Sequence, residues 1–595
     1  MAKQEQPHSG ARKQNTFFGG AAILAVGILV VKLIGMFYKI PLVNIIGEEG
    51  TADFNNAYNI YAVLLTVSTA GLPVAVSKLV SEANAVGRRN QVRRIFRLAL
   101  AAFLTLGVAS FMVMYFRADW LAGLMHDSKA AQGIRTLAPA VICVGCLAAF
   151  RGYSQGHSNM APTSVSQIIE ALCKLVVGLG LAYWLVKAGQ PSHVAAAGAI
   201  TGVTVGTVVA LAYMFLSFCV GRSHEAPGSD IADAPGKIFK DILRIAIPIT
   251  LSSSMVGIVT VIDSSLVQGQ LQRVLLENPD SWLLYAEFMD LSALENARNL
   301  WLNTPSFLSV AAVPTMEALE AHVGAGSQSA IALHEALESV SRVIYGNYSG
   351  ALNIYNLPSS LMVAMTSSVI PAVSGALARK DRKGAASITS SALRISAMLA
   401  FPMGMGLCVL GKPIIKLLFS SLNPELAGPL LSTLGLAVVF VCLMLVCNSI
   451  LQANGFVNLP VVVMVLGGVV KILSNYNMVA IPSVGIFGVP FGNVLCFGLC
   501  LVLDLVIISR VLRGRPGYLG IFLKPLAAAA IMGAGAWGVY GLVFKLLHSN
   551  TLGVVCSIGV AVVIYAVLIV AFKAIDREDL ALMPKGQKIA KLLRL

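Results

Sequence analysis

Lysine side chains interrupt long apolar stretches of this chain at positions where a charge is costly. Lys32 and Lys39 are seven residues apart in the first stretch, and two helical turns would direct both side chains the same way. Lys471 lies inside a much later stretch. An ionisable group at mid-span costs at least about 2.5–3.5 kcal/mol on insertion scales, so each lysine is a functional candidate, suited to binding an anion. The alternative is that the amine snorkels to the membrane surface, more easily for Lys39 than for Lys32.

Further charged residues accompany these lysines. Glu170 and Lys174 are four residues apart, in the order that favours an ion pair on one helix. We predict that they pair with each other, and lining a cavity is the alternative. Arg151 would lie one turn from the cytoplasmic end of its stretch, where it could meet a polar headgroup or snorkel. Asp53 follows the first predicted external turn and is either a gate partner for Lys39 or a solvated loop charge.

Asp263 is the only acidic residue in the core of its apolar stretch. It is the best candidate for binding a coupling cation, Na⁺ or H⁺, with Asn475 or Asn493 as neutral ligands. The apolar stretches contain no nucleophile–base pair, phosphate-binding loop or His/Cys cluster. We therefore predict no catalytic residues, no cofactor and no metal centre, and we do not expect an enzyme.

The elements that must position these residues are membrane-spanning helices. Of the 595 residues, 57% are hydrophobic and only 12% are charged, against about 25% in an average soluble protein. Apolar stretches of about 20 residues, long enough to cross a bilayer as a helix, recur along nearly the whole chain. They lie near residues 17–46, 57–82, 95–116, 134–155, 163–186, 194–219, 241–269, 347–377, 387–411, 428–452, 460–480, 487–510, 521–545 and 551–573. We predict an all-α polytopic membrane protein with about fourteen helices.

The net charge of +15 is concentrated in loops on one side of the predicted membrane. Basic residues cluster at 88–97, 222–240, 379–383, 510–515 and 573–588, and by the positive-inside rule these loops are cytoplasmic. Both termini would then be cytoplasmic in a bacterial plasma membrane. We interpret the positive charge as contacting anionic membrane lipids, and we expect no nucleic-acid partner.

The chain repeats itself after about 297 residues. Gln155 matches Gln452 and Lys174 matches Lys471, each at an offset of 297. Six predicted helices separate the copies, so both start on the same side of the membrane and the repeat is parallel, as in many transporters with alternating access. The predicted domains are a cytoplasmic leader (1–16), an N-lobe (17–219), a linker (220–240), a C-lobe (241–510), helices 13 and 14 (521–573) and a basic cytoplasmic tail (574–595).

Residues 271–345 have no counterpart in the first copy of the repeat. This segment holds nine acidic and three basic residues, and the predicted topology places it outside the cell. We interpret it as a helical cap or a spacer. A lid, or a docking element for cell-wall synthesis proteins, is the alternative.

Two stretches resemble a known family. They are residues 57–82 (AYNIYAVLLTVSTAGLPVAVSKLVSE) and residues 151–170 (RGYSQGHSNMAPTSVSQIIE). They are similar to the multidrug/oligosaccharidyl-lipid/polysaccharide (MOP) exporter superfamily, most of all to its stage V sporulation protein B and MurJ-like branch of lipid-linked cell-wall precursor flippases. The resemblance implies a V-shaped, MATE-like transporter of two six-helix lobes plus two helices. It also implies a cationic cavity for an undecaprenyl-diphosphate-linked sugar or muropeptide.

The family pattern bears on several of the residues named above. The first helix of these flippases carries basic residues along the cavity, mostly Arg, so Lys32 and Lys39 are a departure from the pattern. Where such flippases bind a cation in the second lobe, an acidic residue on helix 11 is usual, whereas this chain has Asn475 and Asn477 there. The coupling site at Asp263 would therefore lack one of its carboxylates.

The resemblance and the charges together predict a flippase that moves a lipid II-like precursor or a polysaccharide repeat unit from the inner to the outer leaflet by alternating access. One alternative is a drug/cation antiporter of the same fold. The other is a non-transporting scaffold for cell-wall or sporulation enzymes. The mid-span charges are mainly lysines, which favours an anionic substrate over an organic cation.

Overall fold

A computed structural model describes residues 9–69, 71–157, 159–222, 230–304, 314–511 and 517–574. The described elements are helices, with no β-strand among them, which confirms the predicted all-α polytopic membrane protein. Eleven of them are long and apolar enough to cross a membrane. Fourteen helices are compatible with this result, and that number stays a prediction.

The first compact unit, here called the N-terminal unit, comprises Met1–Ile46 and Asp53–Val261. Buried side chains of its first, fifth and eighth helices form a core, among them Tyr38, Phe54, Ile134 and Ile200. The helices that contribute to the unit are α1 (Ser9–Thr69), α2 (Gly71–Ala85), α3 (Arg89–Phe116), α4 (Ala118–Leu124), α5 (Ala130–Gly156), α6 (Ala161–Cys173), α7 (Leu179–Lys187), α8 (Ser192–Arg222) and the first part of α9 (Pro235–Glu277). A π-helix, Lys174–Gly178, joins α6 to α7.

The second compact unit, here called the C-terminal unit, comprises Gly47–Ala52 and Ile262–Leu595. Its helices are the last part of α9, α10 (Ser292–Leu302), α11 (Met316–Gly324), α12 (Gln328–Ala378), α13 (Arg382–Leu418), α14 (Pro424–Ala453), α15 (Leu459–Val479), α16 (Val489–Val511), α17 (Tyr518–Leu547) and α18 (Asn550–Ala571). The division between the units falls inside α9, and the lobe boundaries drawn from the repeat stay a prediction.

The described part of the predicted insertion consists largely of helices joined by turns. Helix α9 runs on to Glu277 and α12 begins at Gln328, so only residues 278–327 lie between these two long helices. Tyr285 anchors this segment, because its hydroxyl oxygen accepts a hydrogen bond from the backbone N–H of Ile486 at 3.0 Å. Several predicted segments extend outside the described residues, namely 1–8 of the leader, 223–229 of the linker, 305–313 of the insertion, 512–516 before α17 and 575–595 of the tail.

A kink at Gly47 divides α1. Its φ of 74° and ψ of −172° lie outside the helical region and suit glycine, which has no Cβ. The next residue, Glu48, belongs to the C-terminal unit, where its Oε1 accepts a hydrogen bond from the backbone N–H of Asn423 at 2.9 Å. A Cβ at Gly346 would lie only 2.0 Å from the Glu48 carbonyl oxygen, so glycine is required there for the close approach.

The glycines at positions 198, 202 and 206 of α8 permit close packing of this helix against its neighbours. A Cβ on Gly202 would lie 2.5 Å from the Gly178 Cα, and one on Gly206 would lie 2.8 Å from the Glu170 carbonyl oxygen. The backbone of α8 therefore touches the backbone that carries Glu170 and Lys174. This contact fixes the position of two charged side chains of the site described next.

Candidate functional site

A cavity of about 580 Å³ lies within the N-terminal unit. Three of the predicted cavity cations, Lys32, Arg151 and Lys174, line it, together with the carboxylate of Glu170. Apolar side chains of α1, α2, α5 and α8 complete the lining. Among these lining residues the cations outnumber the carboxylate three to one, so the cavity can attract an anion.

One face of α6 supplies the polar side of this cavity. Thr163, Gln167, Glu170 and Lys174 all line it, and their spacings of four, three and four residues place them along one helical face. The Thr163 hydroxyl and the Gln167 amide oxygen are buried and have no hydrogen-bond partner among the described residues. Neither oxygen therefore uses its hydrogen-bonding capacity within the described part of the protein.

Glu170 pairs with Arg151 of α5. The Arg151 Nη2 lies 3.1 Å from the Glu170 Oε2, and the Arg151 Nε donates to the Ser166 hydroxyl at 3.0 Å. The predicted pair of Glu170 with Lys174 is therefore wrong. Arg151 lies on the preceding long helix, and the spacing of residues along one helix does not reveal a partner on another helix.

Lys174 lies against aromatic rings. Its Nζ is 4.9 Å from the ring centroid of Tyr38 and 4.6 Å from that of Tyr58. These are cation–π distances, and no carboxylate of the described residues forms an ion pair with this ammonium. Lys174 is also the first residue of the π-helix, a local widening that is frequent at functional sites.

Lys39 also lies against aromatic rings, and it shares one of them, Tyr58, with Lys174. Its Nζ is 4.6 Å from the Phe54 ring centroid and 6.0 Å from that of Tyr58, and it donates a hydrogen bond to the Asn55 Oδ1 at 2.9 Å. The expected gate partner Asp53 is therefore not the group that Lys39 contacts. Asp53 is 2% exposed, so the alternative interpretation as a solvated loop charge is also wrong.

The predicted coupling residues lie in the C-terminal unit. The Lys471 Nζ is 2.8 Å from the Asp263 Oδ2, and the Asn475 amide donates to the Asp263 Oδ1. The side chains of Asp263 and Lys471 are 7% and 13% exposed. Asn493 instead donates to the Tyr348 hydroxyl at 2.9 Å. Both oxygens of Asp263 are thus engaged by protein groups, and its charge is balanced by Lys471.

The carboxylate that neutralises Lys471 comes from α9, more than two hundred residues earlier in the sequence. It is therefore not a neighbour of Lys471 on one helix. The two repeat-related lysines therefore have opposite surroundings: Lys471 is held in an ion pair, and Lys174 rests on tyrosine rings. Lys174 is the stronger candidate for binding an anion.

The search for ionisable groups alone missed the neutral members of the site. Tyr38, Tyr58 and Gln167 carry no charge at neutral pH, yet they hold Lys174 or face the cavity. The helical spacing from Thr163 to Lys174 was a usable signal. In the part of the chain that the structure describes, no group of three or more His, Cys, Asp or Glu side chains could hold a metal ion.

Comparisons with known proteins cover most of the chain. A family model described as Polysaccharide biosynthesis protein matches residues 17–275, and one described as Lipid II flippase MurJ matches residues 325–561. An uncharacterized membrane protein of Bacillus subtilis, YabM, is 24% identical over 98% of this chain and 97% of its own. Stage V sporulation protein B of the same organism is 21% identical over 96% of this chain and 98% of its own.

Solved structures show the same fold. The inward closed conformation of a lipid II flippase MurJ gives a TM-score of 0.61 at 14% identity, covering 93% of this chain and 98% of that one. An inward-facing multidrug resistance MATE family transporter of the MOP superfamily gives 0.58 at 14% identity, covering 82% and 98%. The chain therefore has the fold of these membrane transporters, and its sequence is similar to those of MurJ and stage V sporulation protein B.

Proposed function

We propose that this protein is a flippase that moves an undecaprenyl-diphosphate-linked cell-wall precursor, or a polysaccharide repeat unit, from the inner to the outer leaflet by alternating access. The observation that carries the proposal is the Lys174 ammonium, which lines the cavity of the N-terminal unit without an ion-pair partner among the described residues. An ammonium held on neutral rings keeps its charge available for a phosphate. The MurJ and stage V sporulation protein B relatives support the class of substrate.

The cavity offers different groups to different parts of such a headgroup. Lys32 and Lys174 are point cations that suit phosphate oxygens without the paired geometry of arginine. Thr163 and Gln167 suit the hydroxyl and amide groups of a sugar or muropeptide. A volume of about 580 Å³ falls in the usual range of small-ligand sites, and in this proposal the lipid tail stays in the bilayer.

The C-terminal unit supplies a means of coupling in this proposal. In the conformation described, Asp263 holds Lys471. A proton or a Na⁺ ion on Asp263 would release the Lys471 ammonium, and the cation gradient would then favour one arrangement of the pair over the other. Asn475 would stay as the neutral ligand of Asp263.

The proposed setting is a bacterial plasma membrane with both termini in the cytoplasm, supported by the basic loops. In this topology the segment 278–327 faces outward, where cell-wall synthesis proteins are potential partners.

The tyrosine-rich cavity wall also resembles a site for organic cations, which keeps the drug/cation antiporter as the second candidate. Lys174 argues against it, because the ammonium already occupies the faces of Tyr38 and Tyr58.

The test is the leaflet distribution of undecaprenyl-linked intermediates in cells depleted of the wild-type protein and carrying Lys174→Gln. We expect flipping to fall at least tenfold, since the unpaired charge is lost while the neutral amide keeps a similar size. Lys187→Gln is the matched control, because Lys187 is exposed at the end of α7 and lies outside the cavity lining.

Normal flipping by Lys174→Gln at normal protein level would refute the proposal. Cation-dependent drug efflux that survives this substitution would indicate the antiporter. A defect confined to deletion of residues 278–327 would indicate the scaffold.

A further inference from the structure

Helix α16 carries a fully buried aspartate that the proposed function does not use. Asp504 is 0% exposed and lies about two helical turns before the end of α16 at Val511. The segment Gly485–Val511 is long and apolar enough to cross a membrane. Within α16 the only other charged side chain is that of Arg510, in the last turn. Asp504 is therefore an acidic group inside an apolar span, where a charge is costly.

The Asp504 carboxyl is buried without a partner among the described residues. Both of its oxygens are inaccessible to solvent, and neither has a hydrogen-bond partner in the part of the chain that the structure describes. Burying an ionised carboxylate without compensation is strongly unfavourable, and a carboxyl in such a place takes up a proton instead. The burial of both oxygens therefore favours the neutral acid.

Asp263, the other buried aspartate described in the C-terminal unit, has the opposite surroundings. Its Oδ2 lies 2.8 Å from the Lys471 Nζ, and its Oδ1 accepts a hydrogen bond from the Asn475 amide. These two groups stabilise the charged form of Asp263, so a proton there has to displace Lys471. A proton on Asp504 displaces none of the described groups.

Two thiols interact electrostatically with the Asp504 carboxyl. Cys500 lies one turn earlier on α16, and Cys447 lies on α14, which packs against α16. A thiol carries no positive charge, so neither group can compensate an ionised carboxylate. Metal cations such as Ca²⁺ and Mg²⁺ bind through several oxygen atoms, whereas a proton needs only one. These surroundings therefore suit a proton better than such a cation.

The charged side chains of the two long helices packed against α16 are engaged elsewhere. Glu425 of α14 lies in the exposed ion pair at the first turn of its helix, and Lys471 of α15 is held by Asp263. The hydroxyl of Tyr518, on α17, donates to the backbone carbonyl of the residue after Asp504, at 3.2 Å, and not to the carboxyl. None of these groups supplies a positive charge to Asp504.

We infer that Asp504 is a proton-binding site inside the membrane, with its carboxyl protonated at neutral pH. Burial of both oxygens, the lack of a described partner and the neutral thiols around the carboxyl carry this inference. Ionisable residues within membrane spans mark proton paths in many pumps and transporters. Proton binding at Asp504 is a property of the C-terminal unit and does not rest on the proposed transport function.

The experiment is infrared spectroscopy of the full-length protein in detergent micelles at neutral pH, with unlabelled and with isotope-labelled aspartate. The label identifies the C=O stretch of a protonated aspartate. We expect a band of this kind in the wild type and its loss in Asp504→Asn. The melting temperature of this variant should stay close to that of the wild type, because asparagine is neutral and has the size of the protonated acid.

Asp263→Asn is the matched comparison at a second buried aspartate. It should keep the band and lower the melting temperature, because it leaves the Lys471 ammonium without its counter-ion. Asp381→Asn, at the exposed cap of α13, should keep both the band and the melting temperature.

If Asp504→Asn does not fold, Asp504→Leu replaces it, since leucine has a similar size and suits apolar surroundings. The inference is overturned if no protonated-aspartate band depends on Asp504. It is also overturned if that band appears only after the buffer is acidified, because the carboxyl would then be ionised at neutral pH.

Discussion

Removing one charge from the buried pair of Asp263 and Lys471 should strongly destabilise the C-terminal unit. In Lys471→Gln the Asp263 carboxylate keeps only the hydrogen bond from Asn475. In Asp263→Asn the Lys471 ammonium loses its counter-ion. Each single substitution therefore leaves one buried charge without compensation.

The magnitude follows from the burial of the two side chains. With 7% and 13% exposure, solvent screens the pair little, and breaking such a pair from one side costs about 3–5 kcal/mol. The double variant Asp263→Asn/Lys471→Gln removes both charges and should be much less destabilised than the two single variants together. We expect a coupling free energy of about 2–3 kcal/mol between the two positions.

The assay is the free energy of unfolding in mixed micelles for wild type, both single variants and the double variant. Lys412 and Glu425 provide the control cycle, because their ammonium and carboxylate also form an ion pair, at 2.6 Å, but are 52% and 58% exposed. Their coupling should be below about 1 kcal/mol. Additive effects at Asp263 and Lys471, or an equally large coupling in the control cycle, would refute the reasoning from burial.

Three further predictions concern other parts of the N-terminal unit. Tyr58→Leu should weaken binding of a soluble diphosphate analogue about three- to tenfold, because it removes a ring that holds the Lys174 ammonium, whereas Tyr58→Phe should bind normally; titration calorimetry measures both. Gly202→Ala should lower the free energy of unfolding by about 1–3 kcal/mol through steric overlap, whereas Gly180→Ala, with nothing within 4 Å of its added Cβ, should not lower it. The hydrogen bond from Arg88 to Asp233, at 2.9 Å, lowers the pKa of the Asp233 carboxyl. The folded state is therefore stabilised by this hydrogen bond above the ordinary pKa of an aspartate. This stabilisation is lost as the pH falls through the lower pKa that Asp233 has in the folded protein. Hydrogen exchange of the backbone amides at residues 230–234 should become faster as the pH falls through this range. In the Asp233→Asn variant these amides should exchange fast at every pH.

The helical architecture was predictable because hydropathy and length determine which segments can cross a bilayer. Helix α9 shows where this approach fails. It runs to Glu277, past the predicted end near residue 269, because its last turns pack in the C-terminal unit instead of meeting lipid. Polar residues such as Gln272 are compatible with that environment, where the Gln272 amide donates to the Ser341 hydroxyl at 2.9 Å.

The cations of the site were predictable as individual residues, whereas their partners were not. A lysine in an apolar stretch is visible in the sequence. Whether Lys174 faces Glu170 or a tyrosine depends on which helices pack together, and that is set by contacts such as those of the α8 glycines. The partner of Lys471 was not predictable either, since its counter-ion Asp263 belongs to a helix more than two hundred residues earlier.

The Gly47–Ala52 segment has a consequence for biosynthesis. It is made among the first residues of the N-terminal unit, yet its partner Asn423 is synthesised about 370 residues later, roughly 20–75 s at ordinary translation rates. During this interval Glu48 cannot accept its hydrogen bond from the backbone N–H of Asn423. A fragment that starts at residue 262 would lack this segment altogether. The C-terminal unit is therefore not made of one continuous stretch of chain, because it includes six residues that are synthesised before residue 262.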